Sequence, residues 1–222
     1  MSYEAFRRRM NSYGGDIQKA TSNISKISAV NQIMYSPNRK TVNIDTLDSK
    51  DEYCIVQDID HMKIRKFLFL PDTNIQRGNY IHHEGYIYLA TEQYTTEEYP
   101  QVNAEICTAD FAYELDRQDA IIGYDNLGRP IYPPDDSLSI TLPCIVKFND
   151  ASTAIADANE PINLLDNIIT VTIPYGKINN IKYDSVFPIF GDDYRVIRID
   201  PSQSIDGVGL LKITGQRLEY SE

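Results

Sequence analysis

The sequence contains no tryptophan, only three cysteines and only three histidines in 222 residues. The absence of tryptophan weighs against a carbohydrate-binding module, which would present an exposed aromatic platform. Cys54, Cys107 and Cys144 are odd in number, widely spaced and without a C-x-x-C pattern, so we expect buried free thiols of a protein made in a reducing cytoplasm. No apolar run approaches the roughly 18 residues of a membrane span, and the start MSYEAFRRRM lacks the apolar core of a signal peptide. We therefore expect no membrane partner.

Motifs that carry catalytic chemistry are also missing. The sequence has no G-x-S-x-G, no glycine-rich phosphate loop and no cysteine paired by motif with a histidine. His82 and His83 are adjacent, so in a strand they would point to opposite faces and could not share one ion. His61 follows Asp58 and Asp60, but a metal site would need further ligands, and a solvated turn is the preferred interpretation. We predict no catalytic residues, no cofactor and no metal, and hence a protein that is not an enzyme.

Charge is distributed unevenly along the chain. The net charge is −11, yet residues 1–50 hold eight Lys/Arg against four Asp/Glu, while the remainder holds 13 against 28. The acidic body argues against affinity for nucleic acid, because phosphate binding needs cations. Two interpretations remain open: a soluble acidic protein, or an acidic ring lumen along which DNA slides without sticking.

The basic first 50 residues form a distinct N-terminal arm. Residues 4–10 are predicted to form a short helix with a dense cluster of Arg7, Arg8 and Arg9, which is either a solvated turn or an anchor for an acidic neighbour. Asp16 is a plausible N-cap for a second helix that would need a partner. An extended arm is the alternative to that helix. The apolar residues of the predicted second helix recur at heptad-like spacing, with Asn31 in the same register: Ile17, Ala20, Ile24, Ile27 and Met34.

Beyond residue 50 the sequence alternates in the manner of β-strands. We predict a mainly β fold of two small antiparallel barrels or sandwiches, at 51–134 and 135–222, after the arm at 1–50. Tight turns are expected at 84–85 and 124–129, with Gly128 in a left-handed conformation. The strands are predicted at 53–57, 64–70, 79–83, 86–91, 102–115, 139–148, 168–174, 178–183, 194–199 and 209–218.

Five segments resemble, in their order along the chain, segments of the head-closure and neck proteins of tailed bacteriophages. The longest is 66–91, KFLFLPDTNIQRGNYIHHEGYIYLAT. The shorter ones are RMNSYG at 9–14, AEIC at 104–107, LPCIV at 142–146 and DYRVIRID at 193–200. Each is brief, and the likeness rests on their order along the chain.

The resemblance implies a structural virion protein without catalysis. Such a protein would form a six- or twelve-fold ring in the neck, bind portal, adaptor and tail-end proteins, and seal the DNA-filled head after assembly in the host cytoplasm. The alternatives are a tail-terminator or baseplate ring protein, or a β-rich ligand- or carbohydrate-binding module. Candidate assembly residues are Arg7, Arg8, Arg9, Tyr13, Tyr86 and Tyr88, although core packing is the competing role for at least one of the last two. Candidate channel loops contain Thr95, Thr96, Glu97, Glu98, Asp150 and Asp157.

Overall fold

The computed structural model of the chain describes residues 3–5, 7, 17–45, 50–95, 99–114, 123–131, 139–148, 167–178 and 181–218. The fold is mainly β, as predicted, and consists of two compact units, Met1–Ile106 and Cys107–Glu222. Each unit is built around an antiparallel six-stranded sheet. The units are described separately below.

A long helix, α1 (Ile17–Met34), precedes the strands of the first unit. It confirms the helical interpretation over the extended arm. The helix contains no glycine or proline, and Pro37 lies just beyond its end, where a proline cannot continue a helix. The guanidinium of Arg39 donates to the carbonyl oxygen of Met34 at 2.9 Å, which satisfies one of the free carbonyls of the last turn. Residues 3–5 and Arg7 are also helical.

The first unit is a closed barrel in which the strands follow the order β1-β2-β3-β6-β5-β4. Closure is made by antiparallel pairing of β1 with β4, where Asn43 opposes His82 and Ile44 opposes Ile81. Alternate residues therefore point into a continuous apolar core. The strands are β1 (Arg39–Ile44), β2 (Lys50–Asp60), β3 (Ile64–Phe69), β4 (Tyr80–His83), β5 (Tyr86–Thr95) and β6 (Pro100–Ile106).

The position of β1 corrects the predicted arm. The sequence places residues 39–44 in an arm that ends at residue 50, but β1 is a full member of the barrel, and Val42 and Ile44 lie in its core. The strand RKTVNI begins with two cations, so its alternation of apolar and polar residues covers only three positions. A pattern that short does not distinguish a strand from an extended arm.

The second unit contains an open sheet in the order β12-β13-β14-β11-β10-β7. The sheet curls until its two edge strands meet, since the rings of Phe111 in β7 and Phe187 in β12 are 5.0 Å apart. It is therefore nearly a second barrel. Its strands are β7 (Ala109–Glu114), β10 (Ser139–Phe148), β11 (Ile168–Pro174), β12 (Val186–Ile189), β13 (Asp192–Ile205) and β14 (Val208–Arg217), and the small hairpin of β8 (Gly123–Tyr124) and β9 (Pro130–Ile131) is separate.

The boundary between the units differs from the predicted one at 134/135. The strand predicted at 102–115 is two strands, β6 and β7, separated at Cys107 and Thr108, and the unit boundary lies at this break. Strand β7 pairs with β10, which places it in the second unit. The apolar pattern runs through the break, so periodicity alone does not reveal it.

Two further local predictions have opposite outcomes. The predicted strand at 178–183 is wrong for its described residues, since Ile178 and Ile181–Tyr183 are not in a strand, whereas β12 follows at Val186. The predicted hairpin tip is confirmed, and Gly128 has a φ of 76°. The carboxylate of Asp125 accepts hydrogen bonds from the backbone N–H groups of Leu127 and Arg129 at 2.8 Å each, which holds this tip in shape.

Candidate functional site

At one end of the first barrel, a buried arginine side chain points inward and meets carboxylates that are partly exposed at the barrel rim. The inward row of β3 consists of Arg65, Phe67 and Phe69, all buried. The Arg65 side chain is only 7% exposed, with Nε 2.8 Å from Oδ1 of Asp58 and Nη1 3.4 Å from Oε2 of Glu84. The Nε–H is not aligned with a hydrogen-bond acceptor, so the contact with Asp58 is an ion pair rather than a directed hydrogen bond.

Tyr88 supports the Arg65 guanidinium from inside the barrel. The guanidinium carbon lies 5.4 Å from the centre of the Tyr88 ring, within the range of a cation–π interaction. Tyr88 is fully buried, its ring meets that of Phe67 at 5.7 Å, and its hydroxyl donates to the carbonyl oxygen of Met62 at 3.3 Å. Burial raises the pKa of the Tyr88 hydroxyl, so the phenol stays protonated and available as a donor.

Glu84 connects three strands at this end of the barrel. It lies in the β4–β5 turn with a φ of 52°, where Lys40 Nζ donates to its Oε1 at 3.1 Å. That hydrogen bond holds the pKa of Glu84 below its usual value. His83 Nε2 lies 3.6 Å from Oε2 of Glu84, but burial lowers the pKa of His83, so its imidazole is neutral at pH 7. Glu84 is therefore paired mainly with Lys40 and Arg65.

We call Lys40, Asp58, Arg65, His83 and Glu84 the barrel-end cluster. The two cations and two anions of the cluster alternate in space and neutralise one another. The cluster is therefore suited to holding the strand ends together rather than to binding an ion. Among the residues that the structure describes, no group of three or more His, Cys, Asp and Glu is placed to hold a metal.

Beside this cluster, the β2–β3 turn presents apolar side chains to solvent. His61 and Met62 have φ values of 35° and 67°, and the Lys63 N–H closes the turn on the Asp60 carbonyl oxygen at 2.7 Å. His61 is exposed in a turn, as predicted. Ile59 is 53% exposed and Met62 43% exposed. With Asp58 and Asp60 they line an open depression, which we call the turn depression.

Helix α1 has two apolar faces. Ala29 and Ile33 are buried on one face, whereas Ile24 and Ile27, on the other side of the helix, are 56% and 53% exposed. Lys26 Nζ forms an ion pair with Asp72 Oδ1 at 2.8 Å, which fastens the middle of α1 to the loop after β3. The heptad stripe expected from the sequence is therefore the face that the barrel leaves uncovered. We call Ile24 and Ile27 the free stripe.

The second unit also exposes apolar groups. Phe148 and Phe190 are 57% and 59% exposed, and their rings stack with centres 6.2 Å apart. Ile205, next to the Asp206–Gly207 turn between β13 and β14, is 76% exposed. These groups lie at turns and strand ends rather than along a strand face, which is where contacts with other proteins are commonly made.

The structure separates the sequence-predicted assembly residues. Tyr88 belongs to the barrel core and cannot line an interface, which is the alternative role foreseen for one of the two tyrosines, while Tyr86 is 46% exposed. Arg7 is exposed on a helical turn. Arg8, Arg9 and Tyr13 lie outside the described residues, as do five of the six candidate channel residues: Thr96, Glu97, Glu98, Asp150 and Asp157. Thr95 is the last residue of β5, where it pairs with Pro100.

Sequence reasoning missed the barrel-end cluster. One signal was present: Arg65 alternates with Phe67 and Phe69, so it occupies an inward position if the phenylalanines do. A cation at an inward position needs anionic partners. Asp58 is the direct partner of Arg65 in the β2–β3 hairpin, whereas Glu84 lies in the β4–β5 turn and comes within reach only in the closed barrel.

Comparison with known proteins shows that the chain is similar to a prophage-derived protein. Residues 134–216 match the family model of the YomX C-terminal domain. The chain is also 26% identical over 149 residues to the SPbeta prophage-derived uncharacterized protein YomX of Bacillus subtilis (strain 168), an alignment that covers 65% of this chain and 67% of the relative. The matched region includes five of the six strands of the second sheet. The fold and these matches together define a β-rich, phage-related protein.

The part of the chain that the structure describes has no helix with the length and apolar character needed to cross a membrane.

Proposed function

We propose that this protein is a structural component of the phage virion that forms a ring in the neck, closes the DNA-filled head and docks the tail. The observation that carries the proposal is the likeness to a prophage protein in a chain made of two β-barrel-like units. The ordered neck-protein segments of the sequence support the same role. The proposed role requires no catalysis, cofactor or metal.

The distribution of charge supports a conduit. Residues 51–222 hold 13 Lys/Arg against 28 Asp/Glu, so a ring of such bodies would repel the DNA backbone and let it pass without binding. The segment that precedes β1, residues 1–38, carries the opposite net charge, with five Lys/Arg against two Asp/Glu. An arm of that charge is attracted to the acidic body of a neighbouring subunit, which favours association in a six- or twelve-fold ring.

The proposed partners follow from the position in the neck. Portal or adaptor proteins would lie on one side of the ring and tail-end proteins on the other, and assembly would take place in the bacterial cytoplasm. The exposed Phe148–Phe190 stack is a candidate contact with one of them. The loops at 95–98 and 150–158 are the proposed channel-facing segments, and shortening either should let packaged DNA escape.

Deletion of the gene from the encoding phage tests the proposal. Electron microscopy of the lysate, with packaged DNA quantified, should show tailless heads that have lost their DNA beside complete free tails. Full heads with aberrant tails would move the role to a tail terminator or baseplate ring. Normal infectious particles would refute a virion role and favour a ligand-binding module. Restoring the gene in trans is the control for effects on neighbouring genes.

A further inference from the structure

The free stripe of α1 needs a partner that the first barrel does not supply. Ile24 and Ile27 are both more than half exposed although the same helix buries Ala29 and Ile33. Two exposed isoleucines one turn apart form the kind of ridge by which a helix packs on another surface. The charged residues of α1 are Lys19 and Lys26, with no acidic residue among its 18 positions. The complementary surface is therefore apolar with acidic neighbours.

The turn depression has that chemistry. Ile59 and Met62 are exposed there, and Asp58 and Asp60 lie at the same turn. The side chain of Asp58 is 60% exposed even though one oxygen faces Arg65. Isoleucines beside lysines on α1 would thus meet an isoleucine and a methionine beside aspartates.

The two surfaces lie at opposite ends of β3. The turn depression precedes Ile64, the first residue of the strand, whereas Asp72, which holds the middle of α1 through Lys26, follows Phe69, the last. Six residues of strand span roughly 20 Å. The free stripe flanks Lys26 in sequence, so it cannot reach the turn depression of its own barrel. Between two copies the same surfaces can meet head to tail.

We propose that the free stripe of α1 docks in the turn depression of a second copy of this chain, with Lys19 directed toward its aspartates. The contact is heterologous, so repetition closes a ring if the rotation between copies allows it and otherwise gives a filament. This inference rests on the proposed ring and names the interface that builds it.

Complementation between two variants of the full chain tests the contact. One variant carries Ile24→Asp and Ile27→Asp, which spoils the stripe and leaves the turn depression intact. The other carries Ile59→Asp and Met62→Asp, which does the reverse. A control with Ser22→Asp and Gln32→Glu adds the same two negative charges at exposed positions of α1 away from the stripe. Circular dichroism and thermal unfolding confirm that each variant is folded.

Light scattering and sedimentation then give the mass of each sample. We expect the native and control chains to assemble and each docking variant alone to be monomeric, with the dissociation constant raised about 30-fold for each isoleucine replaced. An equimolar mixture of the two docking variants should stop at a heterodimer, because only one competent pair of surfaces remains.

Three results would overturn the inference: a native chain that stays monomeric, docking variants that assemble like the native chain, or a mixture that stays monomeric. The second result would leave the ring proposal intact and move its interface elsewhere. Failure of the proposed function is recognised separately, by infectious particles from the phage that lacks the gene.

Discussion

Gly215 lies in β14 under the ring of Phe187, and replacing it by alanine should destabilise the second unit. A Cβ at this position would be 2.7 Å from Phe187 Cζ, closer than real Cβ contacts allow, and 3.1 Å from Tyr194 Cβ, tighter than most real Cβ contacts. The Phe187 ring is fully buried and is held by Tyr194 at 6.0 Å and Phe111 at 5.0 Å, so it has no free direction in which to turn.

The expected magnitude of this effect combines two opposing contributions. Alanine in a strand interior is favoured over glycine by about 0.5–1 kcal/mol when there is room for the methyl group. Overpacking of a tight core costs about 1–3 kcal/mol. The difference between these two contributions runs from about zero to about 2.5 kcal/mol. Because Phe187 is held on both sides, we expect Gly215→Ala to lose about 1–2 kcal/mol of unfolding free energy. Each kcal/mol lost should lower the melting temperature of a unit of this size by roughly 4–8 °C.

The assay is urea unfolding followed by far-UV circular dichroism, since the chain has no tryptophan. Gly123→Ala is the matched control, because a Cβ there meets nothing within 4 Å. Phe187→Leu removes the colliding ring atoms, so Gly215→Ala should cost about 1 kcal/mol less in that background than in the native chain. A Gly215→Ala chain as stable as the native one, or a double variant whose loss equals the sum of the single losses, would refute the proposed collision.

The remaining predictions concern the first barrel and the thiols. Arg65→Met should change the unfolding free energy by less than about 1 kcal/mol, because methionine replaces the apolar stem of the arginine and the partly exposed carboxylates become hydrated again. Arg65→Ala should cost about 2–3 kcal/mol because it leaves a cavity. Equal losses of the two variants in urea unfolding would contradict this prediction. Burial lowers the pKa of His83 in the folded barrel below its unfolded value of about 6.5. As the pH falls, the unfolded chain therefore binds a proton on His83 before the folded chain does. The folded state consequently loses stability as the pH falls from the unfolded pKa toward the folded pKa. His83→Gln should therefore flatten stability against pH between about 7 and 5, and an unchanged slope would show that other groups cause it. Burial raises the pKa of Cys54 and Cys144 to about 12, so in native protein at pH 8 iodoacetamide should modify the half-buried Cys107 first, and all three thiols only after unfolding, as read by mass spectrometry.

The barrel-end cluster shows why the candidate site could be foreseen only in part. The inward position of Arg65 follows from its alternation with two phenylalanines, which is a local property of β3. The pairing with Asp58 follows from the register of the β2–β3 hairpin, whereas the approach of Glu84 follows from closure of the barrel, which depends on register between strands far apart in sequence. Tyr88 illustrates the same limit, because its burial depends on the strand face that closure turns inward.

Helix α1 shows how far a periodic pattern reaches. The heptad spacing predicted a helix and a stripe in need of a partner, and Ile24 and Ile27 are indeed left uncovered. The pattern did not reveal that Ala29 and Ile33 would pack beneath the helix, because that face has few apolar positions. Which side of an amphipathic helix meets its own barrel is decided by the surface offered to it.

The sequence by itself determined the class of fold, most of the strands, the tight turns at 84–85 and 124–129, and the contrast between a basic arm and an acidic body. These properties are local: side-chain alternation, turn-forming residues and charge are read within a few neighbouring positions. Only the tertiary structure decided that β1 joins the first barrel, that the units divide at Ile106 and Cys107, and that a buried arginine anchors one barrel end. Those features depend on pairing between distant strands, where many registers compete and burial of the whole core selects one.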